Sequence, residues 1–247
     1  MFRHQGKSRT LKHNLQIATV LSFVAGIVNV TGFLSIKQLT TNVTGHFALF
    51  IYDVSNFEFW KGTVFLLYIL SFLLGSFSSG FLIEKFKRSR KLNVFALPTL
   101  IESLILIFLA VWSNVSAIQH PDLIACMLLF AMGLQNAFVT KISNAVVRTT
   151  HLTGLFTDLG IELSQLLFTE AAADDKKLRA TIKLRIYIIW FFFLGGIIGG
   201  YLYSAMHLGL NTLLLAAGVL LASLFYDDFR FGFMRSKRNR RNDVGGI

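Results

Sequence analysis

Cysteine, proline and acid are what this chain has least of. One cysteine, Cys126, lies in an apolar run, so no disulfide can form within the chain. Its environment suits a small apolar residue better than a reactive thiol. Only two prolines interrupt 247 residues. Charged residues are 15% of the total, well below the quarter or so usual in soluble domains. Soluble-enzyme motifs are missing too: there is no GxSxG, HExxH, Walker loop or CxxC. His46 and His151 sit in related segments but at non-equivalent places, which argues against a metal site. The sequence therefore predicts no enzyme activity, no cofactor and no metal.

What is present is apolar. Hydrophobic residues make up 54% of the chain, and the mean hydropathy is +0.60. The net charge of +11 could point to nucleic acid, but its placement does not. Of the 24 Lys and Arg, all but Lys37, Lys61, Lys141 and Arg148 fall in four clusters flanking uncharged segments. Such clusters mark the cytoplasmic side of a membrane protein and favour anionic lipid headgroups as partners over nucleic acid.

Uncharged runs occur at Asn14 to Ile36, Gly62 to Ile83, Val94 to Trp112 (broken by Glu102), Leu123 to Thr140, and Ile186 to Tyr226. The last is long enough for two helices with a turn near His207 to Asn211. A cleaved leader would have a shorter apolar core than the first run, which is expected to stay as a helix. Six crossings put every basic cluster on one side with both termini cytoplasmic, whereas eight would expose the cluster at 84 to 93 outside. The expectation is an all-α integral membrane protein with a basic N-terminus at 1–13, a repeat at 14–113, a second at 122–226 and a basic tail at 227–247.

The chain is duplicated. Thr-Thr-x-x-Thr-Gly-x-Phe occurs at Thr40 to Phe47 and again at Thr149 to Phe156. Gly26-Ile-Val-Asn29 matches Gly133-Leu-Gln-Asn136, and Phe72 to Leu82 matches Phe192 to Leu202. Three matches in one order indicate an internal repeat. Three crossings per copy is odd, so the second copy must insert upside down. An inverted three-plus-three repeat is an architecture of many secondary transporters.

The chemistry-bearing residues follow from that repeat. Asn29 and Asn136, with Gln135, are amides in hydrocarbon, where an unmade hydrogen bond costs several kcal/mol. They are expected either to bind helices together or, with Gly26, Gly32 and Gly133, to loosen the first helix of each copy and expose backbone to a substrate. Thr40, Thr41 and Thr44, and their matches Thr149, Thr150 and Thr153, are further substrate-site candidates. Thr44-Gly45 and Thr153-Gly154 read as N-caps of short helices, whose free N–H groups would favour an anion or carboxylate. Asp53 and Glu162 are matched acids, Asp158 stands on one helical face with Glu162, and Glu102 lies inside a span. An acid there costs on the order of 3 kcal/mol unless it faces protein or water; all four are coupling candidates, with Glu102 and Asp158 the titrating pair expected. Gly195, Gly196, Gly199 and Gly200 give GxxxG spacing for packing between repeats or in a homodimer.

Through its Asn-bearing first helix, TTNVTGHF, GLQNAFVTK and RTTHLTGLFTDLG, nearly the whole chain resembles the YoaK family of bacterial inner-membrane proteins of unknown function. That resemblance implies six helices in the bacterial cytoplasmic membrane and supplies no substrate. The first motif of the family usually reads Thr-Gly-Asn; His46 takes the Asn place here, so no role of that Asn passes to it. The expected function is a small secondary transporter for an organic solute or anion, coupled to protons or sodium. The alternative is a non-transporting membrane scaffold or lipid-binding subunit.

Overall fold

In a computed structural model, which describes residues 10–86, 95–116, 120–168 and 172–225, the described residues form helices and short connections, with no strand among them. The basic stretches at 1–9, 87–94 and 226–247 lie outside the described residues. In order come α1 (Leu11–Ile36), α2 (Val43–Ser55), α3 (Phe59–Phe86), α4 (Ala96–Ser116), α5 (Pro121–Ser143), α6 (Leu152–Leu166) and α7 (Ala172–Ser204). A 3₁₀ turn at Gly209–Thr212 then leads into α8 at 213–225. The break between α7 and α8, with His207 and Gly209 at positive φ, falls where the sequence predicts a turn.

Local signals explain the ends. Pro121 opens α5, where its missing N–H costs nothing, with Asp122 beside the positive end of the helix. Lys37 and Asn144 close α1 and α5 in the left-handed conformation.

α1, α3, α5 and the Asp175–Ser204 part of α7 are long and apolar enough to cross a membrane. Ala96–Trp112 and Gly209–Phe225 are shorter apolar helices. α2 and α6, with 13 and 15 residues, would reach only about 20–23 Å at 1.5 Å per residue, short of a roughly 30 Å hydrocarbon layer.

α1 and α5 form the centre: 61% of each apolar window is buried, against 22% for α3 and α7. The outer faces of α3 and α7 carry Leu70, Leu74, Phe77, Trp190, Phe193 and Ile197, all exposed. Exposed apolar residues on this scale need an apolar surrounding. α4 and α8 each bury one stripe, Thr99, Glu102, Ser103 and Leu106 on α4 and Leu213, Ala216, Ala217 and Leu220 on α8.

The long helices exchange partners between the halves: α1 packs on α7, and α3 on α5. Glycine sets both contacts. A Cβ on Gly26 would stand 2.1 Å from the Phe192 carbonyl oxygen, and one on Gly133 would stand 2.2 Å from that of Phe72. In the same way Gly195 receives Phe23 and Gly75 receives Phe130, each at 2.1 Å. Each contact in one half has its counterpart in the other, as the matched segments require. Phe23 to Gly195 and Ile27 to Gly199 advance together, so α1 and α7 run parallel. Tyr68 with Asp122, Ser76 with Gly133 and Glu84 with Lys141 make α3 and α5 parallel as well. Between α1 and α5 the order reverses, with Leu21 meeting Gln135 and Gly32 meeting Leu128.

One expectation is corrected. α1 and α5 are continuous helices through Gly26, Gly32 and Gly133, so these glycines do not loosen them. Neighbouring backbone and Thr40 fill the space that their missing side chains leave. The Gly195, Gly196, Gly199 and Gly200 face packs against Phe23, Ile27 and Val30 of α1, the contact between repeats that its spacing allows.

Candidate functional site

Each half builds the same hydrogen bond. Thr41 Oγ1 donates to Asn29 Oδ1 at 2.9 Å, and Thr150 Oγ1 donates to Asn136 Oδ1 at 2.8 Å. The segment after each first helix folds back and returns its second threonine to the amide. The first threonines do likewise one position away, both fully buried. Thr40 Oγ1 donates to the Val28 carbonyl at 3.4 Å. In the other half Gln135 stands where Val28 would, and its Nε2 donates to Thr149 Oγ1 at 3.2 Å. The same nitrogen reaches the Leu21 carbonyl of α1 at 3.1 Å, joining the halves. Asn136 Nδ2 donates to Met132 O at 2.8 Å, which fixes how its amide points.

The capping expectation fails by two residues. Asn42 caps α2, its Oδ1 accepting the Gly45 N–H at 3.0 Å, and His151 occupies the cap position of α6. Thr44 and Thr153 are second residues of their helices and exposed. The glycines make room for the caps, because a Cβ on Gly45 or Gly154 would press on Asn42 or on the His151 ring. Asn42 and His151 match in the repeat, a correspondence hidden by their different chemistry.

α2 turns polar groups inward, burying His46 and Asp53 while exposing Phe47, Ile51 and Tyr52. His46 Nε2 donates to the Leu39 carbonyl at 2.8 Å, and its ring packs against Phe65 and Tyr68. Burial lowers its pKa below the ordinary 6.5, with the bond to Leu39 opposing. Tyr68 Oη donates to Asp122 Oδ1 at 2.5 Å.

In the second half Leu155 stands in the place of His46 and Glu162 in that of Asp53, and the contact is ionic. Arg185 on α7 grips Glu162 with two bonds, Nε to Oε2 at 2.8 Å and Nη2 to Oε1 at 2.9 Å. Its Nη1 lies 2.9 Å from Asp158 Oδ2. Asp158 and Glu162 thus share one helix face, as their spacing predicts, and a cleft of about 600 Å³ opens beside Glu162 toward Lys177. Glu102 stands apart on α4, fully buried, with neither carboxylate oxygen partnered among the described residues.

The bonds thus pair Asn29 with Thr41 in the first half and Asn136 with Thr150 in the second, while Gln135 joins Thr149 and, across the halves, the Leu21 carbonyl. No bond joins them to Thr44, Thr153, Asp53, Asp158, Glu162 or Glu102 among the described residues. Arg185, Tyr68 and Asp122 escape sequence reasoning. The one available signal is that Arg185 is the basic residue nearest the apolar part of α7, where a charge without a partner is costly.

These features define a class: among the described residues, an all-helical protein with four helices long and apolar enough to cross a membrane, and an Asn–Thr pair in each half. Within it, the chain belongs to the DUF1275 family, described as proteins of unknown function, whose match covers residues 17–226 and so both halves. No curated protein and no solved structure matches the chain.

Proposed function

We propose that this protein is a small secondary transporter of the bacterial cytoplasmic membrane, of the YoaK type. It would have six spans in an inverted three-plus-three repeat and cytoplasmic termini. The reversed order between α1 and α5, with the parallel pairs α1–α7 and α3–α5, supports the inversion. The observation that carries the transport reading is the doubled Asn–Thr bond, Asn29–Thr41 and Asn136–Thr150. Related polar pairs in the two halves suit alternating access around a site between inverted repeats. A polar solute can exchange with these bonds, which are worth only about 0.6–2 kcal/mol each. Glu102 and Asp53 are the coupling acids on this reading, since Asp158 and Glu162 are both engaged by Arg185.

The test is electrical. Purified protein in liposomes is exposed to rapid jumps of small solutes and the charge movement recorded. Asn136→Ala and Thr150→Ala should cut the signal at least tenfold while inserting normally; full signals in both would contradict the reading.

A lipid-binding role has one observation in its favour. An apolar groove of about 390 Å³, lined by Val30, Leu152, Phe156, Phe192 and Ile197, could take an acyl chain. It predicts copurifying anionic lipid that Phe156→Trp displaces, with no solute-driven current.

A further inference from the structure

We propose that the ligand held where the halves meet is a small cation, an alkali metal ion or a protonated amine, and that Gln135 Oε1 binds it. This rests on the transport reading and sharpens it, because helix N-termini in the motifs would suggest an anion.

Gln135 is fully buried on α5. Its Nε2 faces the Leu21 carbonyl, and a carbonyl oxygen can only accept, so that atom must be the nitrogen. The orientation of the amide is thereby fixed. Oε1 is left buried with no partner among the described residues. A bare acceptor in a dry interior is costly, and a ligand that supplies positive charge or a donor relieves that cost. In the first half Val28 stands at this place, so a chain offers one such site.

The rest of the interior has the same sign. The buried polar residues include the carboxylates Asp53 and Glu102, and no Lys or Arg among the described residues. His46 donates through Nε2, so its unpartnered Nδ1 is an acceptor too. The other buried side-chain atoms without partners are the Glu102 oxygens and the hydroxyls of Ser22, Thr31, Ser79 and Thr212, and hydroxyls adapt to either role. No such atom is an obligate donor, and an anion needs donors. The helix N-termini do not supply them. Asn42 already accepts the Gly45 N–H, and the His151 ring lies over the first turn of α6.

The experiment is thermal unfolding of the purified full-length protein at constant ionic strength. One series varies the cation as chloride salts: sodium, potassium, methylammonium and ethylammonium. The other varies the anion as N-methylglucamine salts: acetate, lactate and phosphate. A cation should raise Tm by about 5–10 °C at about a hundred times its Kd. Gln135→Leu, which removes the acceptor, should weaken that cation at least tenfold. Gln135→Met, of nearly the same length and without the amide, should weaken the cation to the same extent and decides the matter if the Leu variant does not fold. Stabilisation by an anion alone, a cation effect unchanged in Gln135→Leu or Gln135→Met, or no effect of any cation would overturn the proposal. Solute-jump currents separate the two failures: an anion-driven current leaves transport standing without this site, and silence toward every solute removes both.

Discussion

Gly26 and Gly133 show what one side chain controls here. Each lies where another helix brings a carbonyl oxygen to within about a bond length and a half of the missing Cβ. Gly133→Ala should therefore force α3 and α5 apart and cost about 1–3 kcal/mol, lowering the melting temperature. Gly160→Ala, with nothing within 4 Å, should gain about 0.5–1 kcal/mol instead. The sequence marks both glycines as repeated, but repetition alone cannot distinguish a loosened helix from a close contact. His46 supports a pH prediction. Its pKa is lower folded than unfolded, so the unfolded chain binds the extra proton as pH falls below about 6.5. The contribution of His46 is full above 6.5 and is lost as pH falls through the folded value, where protonated Nδ1 would be a buried donor without a partner. Melting curves between pH 7.5 and 5 should slope downward on acidification, and His46→Leu should flatten part of that slope.

α2 and α6 are the same element solved with different chemistry. α2 is held by the aromatic cluster of His46, Phe65 and Tyr68, whereas α6 is held by Arg185 on Asp158 and Glu162. Phe65 occupies in α3 the position that Arg185 occupies in α7. Arg185→Ala leaves Glu162, whose side chain is only 13% exposed, without its cation. The loss should be about 1–3 kcal/mol, and amide exchange should quicken across α6 while α2 is unchanged. The existence and shortness of both helices were legible from their position between uncharged runs. Their starts were not, because Thr-Gly imitates a cap while the residues at the cap positions, Asn42 and His151, share no side-chain chemistry. The turn before α8 was legible, since only a break lets so long an uncharged run fit two crossings.

At the scale of the molecule, the duplication was readable from three short matches and the positions of the basic clusters. The exchange of partners between halves was not, because no local pattern says that α1 will choose α7 over α3. Helix directions matter most to the functional reading, since a two-sided site needs motifs that face opposite compartments. Thr44 and Thr153 match in the repeat, and both are exposed. In a Cys126→Ser background, Thr44→Cys and Thr153→Cys can each be labelled with a membrane-impermeant maleimide, on intact cells and on inverted vesicles. The inverted repeat predicts that Thr44→Cys reacts only from outside and Thr153→Cys only from the cytoplasm. Labelling of both from one side would contradict it, and with it the alternating site between the halves.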